Sequence, residues 1–234
     1  MKKIAIMTAG GDCAGLNAAI KSVVMAASKN NIVVVGIIDG FIGFVERKYM
    51  VLDNKIVENI ERQGGTILGS SNKECPFHYP SKEKKDEYED RVDDSIKALR
   101  KIGVEAMIII GGDGTLDSAR VIDEAGMPTI GIPKTIDNDM VASNPTIGFD
   151  TGVENAVEAI RKLKTTAASH RRVMVVEMMG RTSGYLTLYS GFAAGADIIL
   201  LPERDYDLNI VCNRVKEIMS TDKRYVIIAV SEAC

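Results

Sequence analysis

The sequence predicts an α/β protein built as two doubly wound lobes with mainly parallel sheets. Three observations carry that expectation. Short β-branched runs alternate with segments of helical period, glycine-rich turns follow several of the runs, and the rhythm breaks near residues 140–148, where VASNPTIG intervenes. The lobes are read as residues 1–139 and 140–234.

In chain order, KIAIMT reads as a strand, GLNAAIKSVVMAASKNN as a helix and IVVVGII as a strand. The stretch from Ser71 to Asp90 is polar, charged and broken by Pro76 and Pro80, so it reads as a surface excursion leading into a helix. AMIIIGG then reads as a strand, TLDSARVIDEAG as a helix and TIGI as a strand that ends at Pro133. After Gly152, Val153, Ala156, Val157 and Ile160 recur at helical spacing. RVMVVEMM, DIILLP and RYVIIAVSE follow as strands, separated by the helical segments SGYLTLYSGFAAGA and DLNIVCNRVKEIMST.

Bulk composition narrows the function classes. The 234 residues are 46% hydrophobic and 26% charged, with a net charge of −3. That is the profile of a globular protein with a sizeable core. No overall positive field would recruit nucleic acid or an anionic membrane, and tryptophan is absent, which weakens base stacking further. The apolar runs fall short of a bilayer span and MKKIAIMT enters glycines instead of a signal-peptide core, so a cytoplasmic protein is expected. Cys13, Cys75, Cys212 and Cys234 are scattered without a C-x-x-C pair, which predicts reduced thiols.

Parallel sheets bind ligands beyond the carboxyl ends of their strands, so the turns after the strands matter most. The first, AGGDCAGLN, brings the backbone N–H groups of Gly10, Gly11 and Gly15 to the start of a helix, a phosphate-friendly arrangement. It matches neither G-x-G-x-x-G nor a Walker A loop, and alone it equally fits a plain tight connection. The second, GGDGT, offers Gly112 and Gly114 for close backbone approach, Thr115 as a helix cap and Asp113 for a magnesium ion bridging phosphates.

The third turn, PKTIDND, places Lys134, Thr135, Asp137, Asn138 and Asp139 in a loop at the same rim. In an extended loop, Asp137 and Asp139 would project to one side and repel unless a cation sat between them. Magnesium would relieve that repulsion and hold a donor phosphate. One carboxylate would then serve as base for a hydroxyl proton, and Lys134 would neutralise the transferring group. An Asx-turn reading of D-N-D competes, but leaves Lys134 and the other two turns without a role. Further on, Arg172 and Arg181 flank one strand, and arginine's planar fork suits phosphate. His170 reads as a surface residue, and Met178 and Met179 read as core.

Taken in order, AGGDCAGLNAAI, GGTILGSS, IIGGDGTL, PKTIDND, TIGFDTG, SHRRVMVVEMMGR and IAVSE resemble the motifs of the 6-phosphofructokinase family over nearly the whole chain. The resemblance implies a phosphofructokinase-like fold with a donor lobe followed by a sugar-phosphate lobe. It implies Mg2+-dependent phosphoryl transfer to the 1-hydroxyl of fructose 6-phosphate, from ATP or, in some branches, from pyrophosphate. By similarity Asp137 is the base, with Thr135 and Asp139 beside it, and Asp113 addresses magnesium. Gly11, Gly112, Gly114 and Thr115 line the donor phosphates. Met179, Gly180 and Arg181 hold the sugar and the transferring phosphoryl, and Glu232 bonds sugar hydroxyls. Arg172 resembles the residue that reaches a neighbouring subunit's sugar phosphate, which implies a homo-oligomer, a dimer or tetramer.

On donor choice, Gly114 is similar to the ATP-using pattern, because an aspartate there crowds the α-phosphate; Lys134 resembles the pyrophosphate-using pattern. ATP is the expected donor. The sequence also departs from the family. Asn72 stands where bacterial members usually carry a donor-binding arginine, with Lys73 as the neighbouring cation. Met25, Asn54, Thr221 and Tyr225 replace basic residues of the effector pocket, although Lys21, Lys164 and Lys223 remain, so control by ADP or phosphoenolpyruvate is not expected. The family continues past Glu232 into a G-H-x-Q-R-G-G segment, so a truncated or fragmentary chain is expected. Two other functions compete. NAD and diacylglycerol kinases share GGDGT but lack PKTIDND and MGR. A non-catalytic regulatory subunit is opposed by the intact Asp113, Asp137 and Arg181.

Overall fold

The structure, a computed structural model, describes residues 1–72, 75–81, 86–141, 143 and 145–234. The chain divides into two compact units, Met1–Thr135 and Ile136–Cys234.

The first unit contains β1 (Lys3–Thr8), α1 (Leu16–Lys29), β2 (Val33–Ile37), α2 (Phe41–Glu46) and β3 (Tyr49–Leu52). A 3-10 turn at Ile60–Arg62 precedes β4 (Tyr79–Pro80), β5 (Tyr88–Glu89), α3 (Val92–Lys101), β6 (Ala106–Gly111), α4 (Asp113–Glu124) and β7 (Thr129–Thr135). Its strands run in the order β3-β2-β1-β6-β7. β1, β2, β6 and β7 pair in parallel, and β3 is antiparallel to β2. Helical crossovers enforce the parallel pairing, and burial on both faces explains the unbroken apolar strands. Ala5 and Met7 of β1 join Val35, Ile37, Phe44, Leu99, Ile109 and Ile122 in one core cluster. The intervening Ile6, equally buried, faces the opposite side.

Because β1 and β6 lie side by side and parallel, the turns that follow them gather along one edge of the sheet. Two details differ from the expectation. β7 continues through Pro133, Lys134 and Thr135, with Pro133 in register with Gly111 of β6, so Lys134 and Thr135 are strand residues. The charged excursion contains the small β4–β5 hairpin, with His78 stacked on Tyr88 at 3.8 Å.

The second unit comprises β8 (Ile147–Gly148), α5 (Phe149–His170), β9 (Val173–Met178), α6 (Tyr185–Ala194), β10 (Ile198–Leu200), α7 (Leu208–Met219) and β11 (Val226–Ser231). Its parallel sheet has the order β10-β11-β9. On one face Val157, Ile160 and Ala167 of α5 and Ala194 of α6 pack with Met178, Ile227 and Ala229. On the other, Ile218 of α7 packs with Val226 and Ile228. Gly191 lets α6 lie close on the sheet, since a Cβ there would stand 3.1 Å from that of Ala229. Met179 departs from the core reading: it follows β9 and is 62% exposed, whereas Met178 is buried. Among the described residues no helix is long and apolar enough to cross a membrane.

Candidate active site

In the first unit the turn after β1 is held by neighbours on every side. Ala9 N donates to Ile110 O at 3.0 Å and Gly10 N to Ser71 O at 2.9 Å. The Ser70 hydroxyl and the Lys134 ammonium donate to the carbonyls of Gly10 and Gly11. Gly10 adopts a φ of 81°, a left-handed conformation that suits glycine. The resulting cleft, about 370 Å³, is lined by Gly10, Gly11, Asp12, Thr66, Ser70 and Asn72. Lys73, expected beside Asn72, lies outside the described residues.

Asn17 ties this cleft to α1. It is 2% exposed, accepts from Ile67 N at 2.8 Å and donates to Gln63 O at 3.1 Å. Thr8 does the same from β1, donating to Gly69 O at 2.8 Å and meeting the Thr66 hydroxyl at 2.9 Å. Neither residue was singled out from the sequence. The one available signal was a polar side chain on the buried face of α1, beside Leu16 and Ile20.

The turn after β6 differs from the expected capping. α4 begins at Asp113, with Gly112 as its N-cap, so Thr115 is not the cap. Thr115 is instead buried against the glycines: a Cβ at Gly111 would lie 2.4 Å from that of Thr115, and one at Gly10 would lie 3.3 Å from its hydroxyl. Asp113 is exposed on the first turn of α4, where a carboxylate suits the helix dipole, and no hydrogen bond or ion pair engages it among the described residues. Gly11 and Gly114 share with Gly64 an open environment. Neither has a positive φ, and a Cβ at either position would meet nothing within 4 Å.

Lys134 is only 5% exposed, so its charge is buried at the glycine turn. Nearby Cys13 is also buried. Burial pushes its thiol pKa up, the Lys134 ammonium partly opposes this, and Asp12 adds to the rise. Because the thiolate is the nucleophile, a raised pKa keeps Cys13 protonated and inert at neutral pH. All four thiols are unbridged, and Cys212 and Cys234 are exposed. Iodoacetamide should therefore modify Cys13 at least about 10-fold more slowly than those two at neutral pH. Peptide mapping of a time course reads the rates, and equal rates would contradict the buried placement.

In the second unit, two loops carry the remaining candidates. Asp137 follows a bend, and its carbonyl accepts from the Ser183 hydroxyl at 2.9 Å. Asn138 is left-handed at φ 53°, and its side-chain oxygen accepts from Thr146 N at 3.0 Å. The stretch is therefore not extended, and the strand-like alternation expected to align Asp137 with Asp139 does not hold. The middle residue of D-N-D does the loop-closing work of an Asx-type turn. Asp139 is half-buried and no hydrogen bond or ion pair engages its carboxylate among the described residues.

The loop after β9 is clamped by two acids. One oxygen of Glu232 accepts from both Gly180 N, at 2.9 Å, and Arg181 N, at 2.6 Å. Glu203 accepts from Gly184 N at 2.7 Å, at the N-cap of α6. Gly180 has no room for a side chain, since its Cβ would stand 2.3 Å from Ser183 O. Arg181 is left-handed, at φ 54°, and exposed. Arg172, also exposed, precedes β9, and the Val226 N–H bonds its carbonyl at 3.2 Å. His170 ends α5 at the surface, as expected. No group of three or more His, Cys, Asp or Glu among the described residues could hold a metal by itself.

Comparison with known proteins bears on both units. Residues 3–234 match the family described as Phosphofructokinase. ATP-dependent 6-phosphofructokinase 2 of Clostridium perfringens is 46% identical over 99% of this chain and 64% of its own length. ATP-dependent 6-phosphofructokinase 2 of Streptomyces coelicolor is 45% identical over 98% of this chain and 65% of its own length. The chain thus spans just under two thirds of these curated relatives. Among solved structures, phosphofructokinase from Saccharomyces cerevisiae superposes with a TM-score of 0.87 at 29% identity, covering all of this chain and 34% of that one. The chain belongs to the phosphofructokinase family.

Proposed function

We infer that the protein transfers a phosphoryl group from ATP to the 1-hydroxyl of fructose 6-phosphate, as an Mg2+-dependent 6-phosphofructokinase of the cytoplasm. The observation that carries this reading is the placement of two of the three open glycines, Gly11 on the turn after β1 and Gly114 in the first turn of α4, where no internal contact demands glycine. Backbone N–H groups at a helix start, bare of side chains, suit a polyphosphate. The buried Lys134 ammonium adds positive charge at that turn. Residues 1–135 would then hold the donor, and residues 136–234 the sugar phosphate.

In this reading the Asp137 carboxylate accepts the proton of the sugar 1-hydroxyl, with Thr135 beside it, while Arg181 donates to the transferring phosphoryl. Met179, Gly180 and the second oxygen of Glu232 face the sugar. Arg172 serves a neighbouring subunit's sugar phosphate in a homodimer or homotetramer. Magnesium takes one or two carboxylates and fills its remaining positions with phosphate oxygens and water. Asp113 in the first unit and Asp139 in the second each carry a carboxylate unengaged among the described residues that would supply such a ligand, and no three-ligand cluster exists among those residues. When bound, the ion supplies charge neutralisation to the donor phosphates. The three lysines left from the effector pattern are engaged within the chain: Lys21 with Glu61 at 2.7 Å, Lys164 with Ala194 O and Lys223 with Asp197. That supports the absence of ADP or phosphoenolpyruvate control.

The test is an assay of the purified chain with Mg2+, fructose 6-phosphate and either ATP or pyrophosphate, reading fructose 1,6-bisphosphate. Faster product formation with ATP is expected. A preference for pyrophosphate would reverse the donor assignment, which the Lys134 pattern keeps as the second reading. No product with either donor would favour a non-catalytic regulatory role.

A further inference from the structure

Resting on the reading of Asp137 as the base, we propose that Ser183 is a positioning residue. It couples the loop carrying Asp137 to the loop carrying Arg181, so that base and phosphoryl-binding arginine share one frame. Ser183 is 7% exposed, and each of its polar groups is committed. Its N–H donates to Gly180 O at 2.8 Å, which closes the turn around Arg181. Its hydroxyl donates to Asp137 O at 2.9 Å, and its carbonyl accepts weakly from the Ser231 hydroxyl at 3.4 Å.

Each loop also has anchors of its own. The Asp137 loop is closed by the Asn138 side chain on Thr146, and Ile136 lies against Gly152 of α5, whose Cβ would stand 3.5 Å from that of Ile136. The Arg181 loop is fixed by Glu232 and Glu203. The Ser183 hydroxyl on Asp137 O joins them. Removing it leaves these anchors in place and loosens one hold on the peptide that carries the base. A small displacement of a catalytic group lowers turnover more than ground-state binding.

The experiment uses the full chain with Ser183→Ala and Ser183→Thr, the second keeping the hydroxyl. Two readouts are taken: hydrogen exchange of the 136–139 amides, and kcat and KM with ATP and fructose 6-phosphate. For Ser183→Ala, exchange at 136–139 should accelerate while that of β9 and β11 stays unchanged. Its kcat should fall about 3- to 10-fold with KM within about 2-fold, the scale of one neutral hydrogen bond expressed in the transition state. Ser183→Thr should restore both. Unaltered exchange at 136–139 overturns the proposal, as does a loosened loop with unchanged kcat. Should the wild-type chain itself fail to turn over, the kinase reading falls, and the exchange measurement still decides whether Ser183 holds the Asp137 loop.

Discussion

Asp137→Ser is expected to lower kcat by about 10²- to 10⁴-fold, the usual scale for loss of a general base. KM for fructose 6-phosphate should change little. The sugar would still meet Met179, Gly180, Arg181 and Glu232, and proton removal contributes only as the transition state forms. Serine keeps the backbone carbonyl that the Ser183 hydroxyl bonds at this point. The thermal midpoint should therefore stay close to wild type. Steady-state kinetics with ATP, together with a melting curve, check both halves. An unchanged kcat would remove Asp137 from the proton-transfer role and with it the proposed mechanism.

Gly114→Asp is expected to separate folding from donor use. The added side chain meets no protein atom, since a Cβ at position 114 has nothing within 4 Å. Residue 114 lies in the first turn of α4, where a carboxylate is favoured by about 0.3–1 kcal/mol and glycine is intrinsically a poor helix former. Stability should be equal to wild type or slightly higher. A negative charge facing an anionic nucleotide, however, costs several kcal/mol. The kcat/KM for ATP should accordingly drop by about 100-fold or more, with pyrophosphate much less affected because it lacks the nucleoside end. If ATP kinetics were untouched, the open space at Gly114 would have no bearing on the donor.

How much of this was legible in the sequence depended on length and on distance along the chain. The long periodic segments α1 and α5 and the buried strands β1, β6 and β11 stood out, because enough residues repeat to define a period. α2, β3, β4 and β5 did not, being between two and six residues long. Pro133 was read as a strand stop, but β7 runs through it in register with Gly111 of β6. D-N-D was read as a carboxylate pair on an extended loop, whereas Asn138 turns the chain and closes it on Thr146. The glycine turns were recognised from composition. What distinguishes Gly111, which must make room for Thr115, from Gly114, which makes room for nothing in the protein, is visible only in three dimensions. The same holds for Glu203 on Gly184 and Glu232 on Gly180, which lie 19 and 52 residues apart in sequence.

The side-by-side parallel arrangement of β1, β6 and β7 also marks out a rim away from the glycine turns where exposed side chains can carry a label. The connections that enter these strands, such as residues 102–105 and 125–128, sit at the opposite rim from the glycine turns, about 20 Å away along a six-residue strand. A dye, affinity tag or surface tether attached there would leave the cleft open to its ligands. Lys101, exposed at the end of α3, is a natural point of attachment for such a handle.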